Sequence, residues 1–152
     1  AASGHKAAVA LLLNAEADLD TADEQERTPC WIAAQNGHAG VVRLLLNAGV
    51  NPNIADTSGA TPCFIAAEEG HAAVVAALLT NPRTNPTKAN NSGDTPCVAA
   101  GRNGHAAVLA LLPCKCEDCD RTFEWDSLMM WGDVFICTDC FELRSKRERG
   151  EE

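Results

Sequence analysis

A chain of 152 residues has room for one ordinary domain, or for a short repeat array with a small appendage, and cannot hold two large cores. Hydrophobic residues make up 46% and aromatics 5%, with no Tyr and many Ala, which suits helices packed through small side chains better than a β-sandwich. The formal charge of −9 divides into 6 Lys/Arg against 10 Asp/Glu over residues 1–113 and 6 against 11 over 114–152, so neither part offers the positive field that phosphate-backbone binding needs, and no apolar run reaches the roughly 18 residues of a membrane span.

The chain opens with a short apolar stretch, Ala7 to Leu13, preceded by Gly4-His5. That dipeptide returns at 37–38, 70–71 and 104–105, in steps of 33, 33 and 34, so the stretch reads as repeat sequence and not as a signal peptide. Thr-Pro-Cys keeps the same period, at 28–30, 61–63 and 95–97. Four units follow: a partial one at 1–27, then 28–60, 61–94 and 95–113.

Each unit predicts a pair of helices. Thr28, Thr61 and Thr95 are placed to cap a first helix, with Pro29, Pro62 and Pro96 at its first position, where a missing N–H costs nothing. Gly37, Gly70 and Gly104 permit a left-handed turn into a second helix, whose apolar residues recur at helical spacing: Val42, Leu45 and Leu46, then Val75, Leu78 and Leu79. Polar segments with turn chemistry, 51–60 and 85–94, join the pairs and carry Gly59 and Gly93 near their tips. In the second segment one extra residue, with Pro82 and Arg83 standing where Ala48 and Gly49 stood, predicts a local distortion at the helix end. The units TPCWIAAQNGHAGVVRLLLNAGVNPN, TPCFIAAEEGHAAVVAALLTNPRTNPT and TPCVAAGRNGHAAVLALL resemble ankyrin repeats over residues 1 to about 112. The resemblance implies an all-α solenoid of helix-turn-helix pairs that binds other proteins.

Four residue sets stand out within the repeats. The histidines His5, His38, His71 and His105 share one repeat position, which points to imidazoles bonded to nearby backbone. With no other His, Ser-His and Cys-His nucleophiles lack a base; no Gly-rich phosphate loop is present either, and neither catalysis nor a small-molecule substrate is expected. Cys30, Cys63 and Cys97 are expected to be buried free thiols, because equivalent atoms of successive repeats lie about 8–10 Å apart while a disulfide needs Cα atoms within about 7 Å. Free thiols indicate a reducing, intracellular compartment. Trp31 and Phe64 follow two of these cysteines; they either pack between repeats or form an aromatic ridge, with Gln35, Glu68 and Arg102 beside it, that contacts a protein partner.

Composition changes at Pro113. Residues 114–152 hold five of the eight cysteines, and four are spaced Cys116-x2-Cys119-x17-Cys137-x2-Cys140. Two such knuckles complete a tetrahedral thiolate shell, so one structural Zn²⁺ ion is expected on Cys116, Cys119, Cys137 and Cys140, with Cys114 as a leftover thiol able to replace Cys116. Between the knuckles Gly132-Asp133 sits among apolar residues and predicts a short hairpin; the stretch from Cys140 onward reads as helical. This order resembles a small treble-clef or ribbon-like module with GATA-type spacing. The segment's charge of −5 argues against carrying over DNA binding, and five Cys without His are too few for a two-zinc RING.

The expected function is therefore that of a protein-binding scaffold, adaptor or assembly subunit. A nucleic-acid-binding regulator using the finger, or a rubredoxin-like electron carrier with iron in the same thiolate shell, are the alternatives. Two further expectations concern the ends. The first unit lacks its leading helix, so more chain or a partner should cover that face; the last unit stops at Leu112 without its loop, so the cysteine module should dock there as a cap.

Overall fold

The computed structural model describes residues 18–114 in full, and residues 128–131 and 134–137 by their backbone. Within the first of these segments six helices form three antiparallel pairs: α1 (Pro29–Gln35) with α2 (Ala39–Asn47), α3 (Pro62–Glu68) with α4 (Ala72–Leu79), and α5 (Pro96–Arg102) with α6 (Ala106–Leu109). First helices pack on first helices, α1 on α3 and α3 on α5, and second helices on second helices. The pairs therefore stack in one dimension. Each contributes a thin slab to one shared core.

The local chemistry of each slab follows the sequence closely. The hydroxyls of Thr28, Thr61 and Thr95 accept the backbone N–H of Trp31, Phe64 and Val98 at 3.2, 3.2 and 3.4 Å. Each satisfies one donor that the helix start leaves open, and Pro at the first helical position removes another. At the other end of α1, Gly37 takes φ +72°, its N–H bonds Ala34 and the His38 N–H bonds Ala33, which is the Schellman arrangement. Gly70 and Gly104 repeat it.

The core lies between the second helices and the inner sides of the first. Val42, Leu45, Val75, Leu78 and Val108 are at most 2% exposed, and Leu46 is buried at the rim; Leu79 is only partly buried but packs against the same cluster. Small residues make the close packing possible. Ala34, Ala66, Ala67 and Ala100 are fully buried along the first helices, so neighbouring backbones approach without a large side chain between them.

The histidines tie one slab to the next. His71 Nε2 donates to the carbonyl of Gln35 at 3.0 Å, and His105 Nε2 donates to that of Glu68 at 2.9 Å. Both acceptors are last-turn carbonyls of a first helix, which have no partner inside the helix. Room for the ring exists because the facing residue is glycine. A Cβ on Gly37 would stand 3.0 Å from the His71 ring, and one on Gly70 only 2.6 Å from that of His105.

The joining loops form a second ladder. Asp23, Asp56 and Asn90 each accept two backbone N–H groups with one side-chain oxygen, from residues two and four positions on. Successive tips then bond across the repeat boundary, Thr57 N–H to Gln25 O at 3.1 Å and Asn91 N–H to Ser58 O at 2.9 Å. In two tips the left-handed position is glycine, Gly59 and Gly93; in the first it is Glu26, at φ +61°. An L-residue there costs roughly 1–2 kcal/mol. Glu26→Gly should accordingly raise stability by about 0.5–1 kcal/mol, read as a higher urea midpoint with an unchanged slope.

The expected distortion after the third unit's second helix is present. α2 closes with Gly49 at φ +93°, whose N–H bonds Leu46 while that of Val50 bonds Leu45. No glycine follows α4. Its open carbonyls are instead taken by hydroxyls, Thr80 Oγ1 donating to Ala77 O and Thr84 Oγ1 to Leu78 O, both at 2.7 Å. Arg83, the residue in the place of Gly49, reaches back to the carbonyls of Gly49 and Val50 at 3.1 Å. Thr84→Val, which keeps the shape and removes the hydroxyl from the Leu78 carbonyl while the Asn81 N–H remains on it at 3.0 Å, should cost about 0.5–1 kcal/mol by denaturant titration.

One expectation fails. Cys97 is not a free thiol but is disulfide-bonded to Cys114, with Cα atoms 5.6 Å apart. Comparing only repeat-equivalent cysteines hid this bond, because the partner comes from the same helix pair: the antiparallel turn returns residue 114 to the start of α5. Cys114 is thereby removed as a substitute metal ligand. Cys30 and Cys63 are free and buried as expected.

In the C-terminal segment β1 (Leu128–Trp131) pairs antiparallel with β2 (Val134–Cys137), Trp131 opposite Val134 and Leu128 opposite Cys137. This is the hairpin that Gly132-Asp133 predicts. The helix expected after Cys140 lies outside the described residues.

Candidate protein-binding face

The five residues expected to meet a partner separate into two groups. Trp31 and Phe64 do not form an aromatic ridge: they are 4% and 3% exposed. Trp31 turns its ring toward the following loop, where its indole N–H donates to the Ala60 carbonyl at 2.9 Å. Phe64 packs with Ala60 and Ala99 in the same layer one step on. A buried indole needs an acceptor, and the neighbouring loop offers one, so these rings join slabs together. The Arg27 guanidinium, held by Asp23 at 2.7 Å, lies 5.6 Å from the Trp31 ring.

Gln35, Glu68 and Arg102 share one repeat position, the last residue of α1, α3 and α5, and form a row across the stack. Gln35 is half-buried; Glu68 and Arg102 are exposed. The row is held firmly from below, because the Gln35 and Glu68 carbonyls accept the imidazole bonds, and Glu68 O accepts a further N–H from Asn103 Nδ2 at 3.1 Å. Arg102 grips Asp94 with both arms of its fork, at 2.9 and 3.1 Å, which fixes the side chain against the loop.

The electrostatics of this row are acidic. Partial desolvation and the neighbouring Glu69 carboxylate push the Glu68 carboxyl above its ordinary value, with smaller contributions from Asp56 and Asp94, and Arg102 opposes them. The residues missed by sequence reasoning are Asp94 and Ile32. Asp94 carries a signal in retrospect, since it precedes a capping Thr and lies eight residues before Arg102. Ile32 is 41% exposed while its repeat equivalent Ile65 is 6% exposed, a contrast that only packing reveals.

The profile of the ankyrin-repeat family, in three copies, matches residues 1–56 and 49–123, together 1–123 of the 152. The chain belongs to the ankyrin-repeat family. No curated protein matches the sequence. Ankyrin repeats generally mediate protein–protein interaction. Among the described residues no helix is long and apolar enough to cross a membrane.

Of the expected zinc ligands, Cys116, Cys119 and Cys140 lie outside the described residues, and Cys137 is described by its backbone alone, at the end of β2. Cys30 and Cys63 are wholly buried and belong to no group of three or more metal-ligating side chains among the described residues. Burial pushes both thiols up to about 12.

A raised carboxyl binds its proton more tightly in the folded state, so Glu68 favours folding as pH falls through its range and disfavours it above. Carboxyl-carbon NMR should place Glu68 above the ordinary glutamate value. Glu69→Gln should lower it, and Arg102→Ala should raise it further; the opposite order would mean that these neighbours do not set the local field.

Proposed function

We propose that the protein is an adaptor or assembly subunit that recognises a protein partner through the solvent-facing row Gln35, Glu68, Glu69, Arg102 and Asn103. One observation carries this reading: these side chains stand at repeated positions on helix ends that are held in place, those of α1 and α3 by the imidazole bonds, and Arg102 and Asn103 at the end of α5 by Asp94 and the Glu68 carbonyl. A contact surface held in this way loses little conformational freedom on binding. Trp31 and Phe64 serve the row indirectly, by fixing the spacing between repeats.

In this reading the four cysteines at 116, 119, 137 and 140 hold one structural Zn²⁺ and the module closes the C-terminal end of the stack. Their two-knuckle spacing supports it, as does the hairpin that ends at Cys137. Cys30, Cys63 and the thiolates a metal requires favour a reducing interior, whereas the Cys97–Cys114 bond favours an oxidising one.

Capture of a partner from the native source should fall at least tenfold for Glu68→Lys combined with Arg102→Glu, and remain intact for Arg43→Glu, on the exposed side of α2. Equal capture by both variants would place the contact elsewhere. Metal analysis of the purified chain should give one zinc per molecule, lost in Cys137→Ser with Cys140→Ser. Amide exchange of residues 95–112 should then accelerate; full protection in the metal-free protein would make the module a separate binding unit.

A further inference from the structure

We propose that the Cys97–Cys114 bond is a redox-operated latch that holds the last helix pair closed and fixes the point at which the cysteine-rich segment leaves the stack. It does not depend on metal at the C-terminal cysteines.

Three cysteines occupy the same slot, the second residue of α1, α3 and α5. Cys30 and Cys63 fill it as buried thiols, which shows that the slot accepts reduced sulfur. The third alone is bonded, because the chain behaves differently after α6. Pro113 lacks an N–H and disfavours helical backbone at Leu112, so α6 stops after one turn. Residues 111 and 112 tighten onto Val108 and Leu109, and the Cys114 N–H bonds Leu112 at 2.9 Å. This brings Cys114 to Cys97, with Cα atoms 5.6 Å apart, at the residue that corresponds in repeat register to Thr80. Beside the bond Leu112 is buried, while Leu111 is already 40% exposed.

Without the bond, this end of the described repeats rests on one turn of helix, which has no stability of its own. The earlier second helices are longer, and α4 is covered on both sides, by α2 and α6; α6 packs on α5 and α4 and has no following repeat among the described residues. Opening therefore acts locally. The slabs of α1 to α4 do not contain the bond.

The chemistry balances with a dithiol reductant. One thiolate of the reductant attacks Cys97 Sγ, the more exposed partner at 6% against 0%, forming a mixed disulfide and expelling Cys114 as a thiolate that takes up a proton. The second thiolate of the reductant then closes on its own bound sulfur and releases Cys97, which is protonated in turn. Two electrons pass to the bond, and the reductant leaves as a disulfide. A disulfide-form oxidant reverses both steps. Cys30 and Cys63 take no part, being buried and held as thiols.

The test is amide hydrogen exchange on the full chain in its oxidised form, after dithiothreitol, and as Cys97→Ser, with alkylation mapping of the thiols. Residues 106–114 should exchange at least tenfold faster in the treated protein and in the variant. Residues 62–79 should be unchanged, with Cys30 and Cys63 unlabelled, and dithiothreitol should add nothing at 106–114 in Cys97→Ser. Alkylation of both Cys97 and Cys114 in the oxidised chain would overturn the latch. So would equal protection in both redox states, loosening that spreads to 62–79, or a further dithiothreitol effect in the variant, which would assign the control to the other cysteines.

Discussion

A carbonyl at the end of a helix has no partner within that helix, and in this stack the next repeat supplies one. His71 and His105 reach back across the repeat boundary to the last carbonyls of α1 and α3, and glycine on the facing side leaves the ring its space. The bond acts on two scales at once. Locally it completes a helix terminus whose open group would otherwise need water, and globally it sets the distance and angle at which one slab meets the next. Neither partner can shift alone. Moving the slabs apart breaks the imidazole bond, and enlarging the glycine pushes the ring off its acceptor.

The division between inside and outside follows from that spacing. Once the slabs are held close, the third residues after Thr28 and Thr61, Trp31 and Phe64, are buried in the seam, where Trp31 meets the Ala60 carbonyl and Phe64 packs with Ala60 and Ala99. Residues four further along stand clear of the seam, at the helix ends where Gln35, Glu68 and Arg102 form a polar row. The aromatic side chains thus act in assembly of the stack, and the charged ones remain at its surface. Arg102 shows the cost of leaving charges at such a site: its fork is occupied by Asp94, so a partner that engages Arg102 must compete with an ion pair already formed.

Much of this architecture is legible from the sequence because the physics is repeated. Thr-Pro-Cys predicts a capped helix start three times, Gly-His predicts the turn, and the extra residue near Pro82 predicts a disturbed helix end; each is found where the period places it. Three features are not legible. The hydroxyls of Thr80 and Thr84 look like ordinary loop residues until the missing glycine is known to leave carbonyls open. Burial of Trp31 depends on the Ala60 carbonyl, 29 residues away, being aimed at the indole. The bond between Cys97 and Cys114 joins a repeat residue to a non-repeat one, so a search by period cannot find it. The ligand set at 116, 119, 137 and 140 is read from spacing alone.

The choice of imidazole for the bond between slabs decides where the ring carries its hydrogen. In each case the ring acts as the donor, through Nε2, toward an acceptor that has no proton to give. The contact itself therefore selects the arrangement with hydrogen on Nε2. A carboxylate in the same place would have no hydrogen to offer the carbonyl at neutral pH. A ring that donates at its tip also spans the gap to the previous helix end while glycine leaves it space alongside, so one side chain sets both the reach and the closeness of neighbouring repeats.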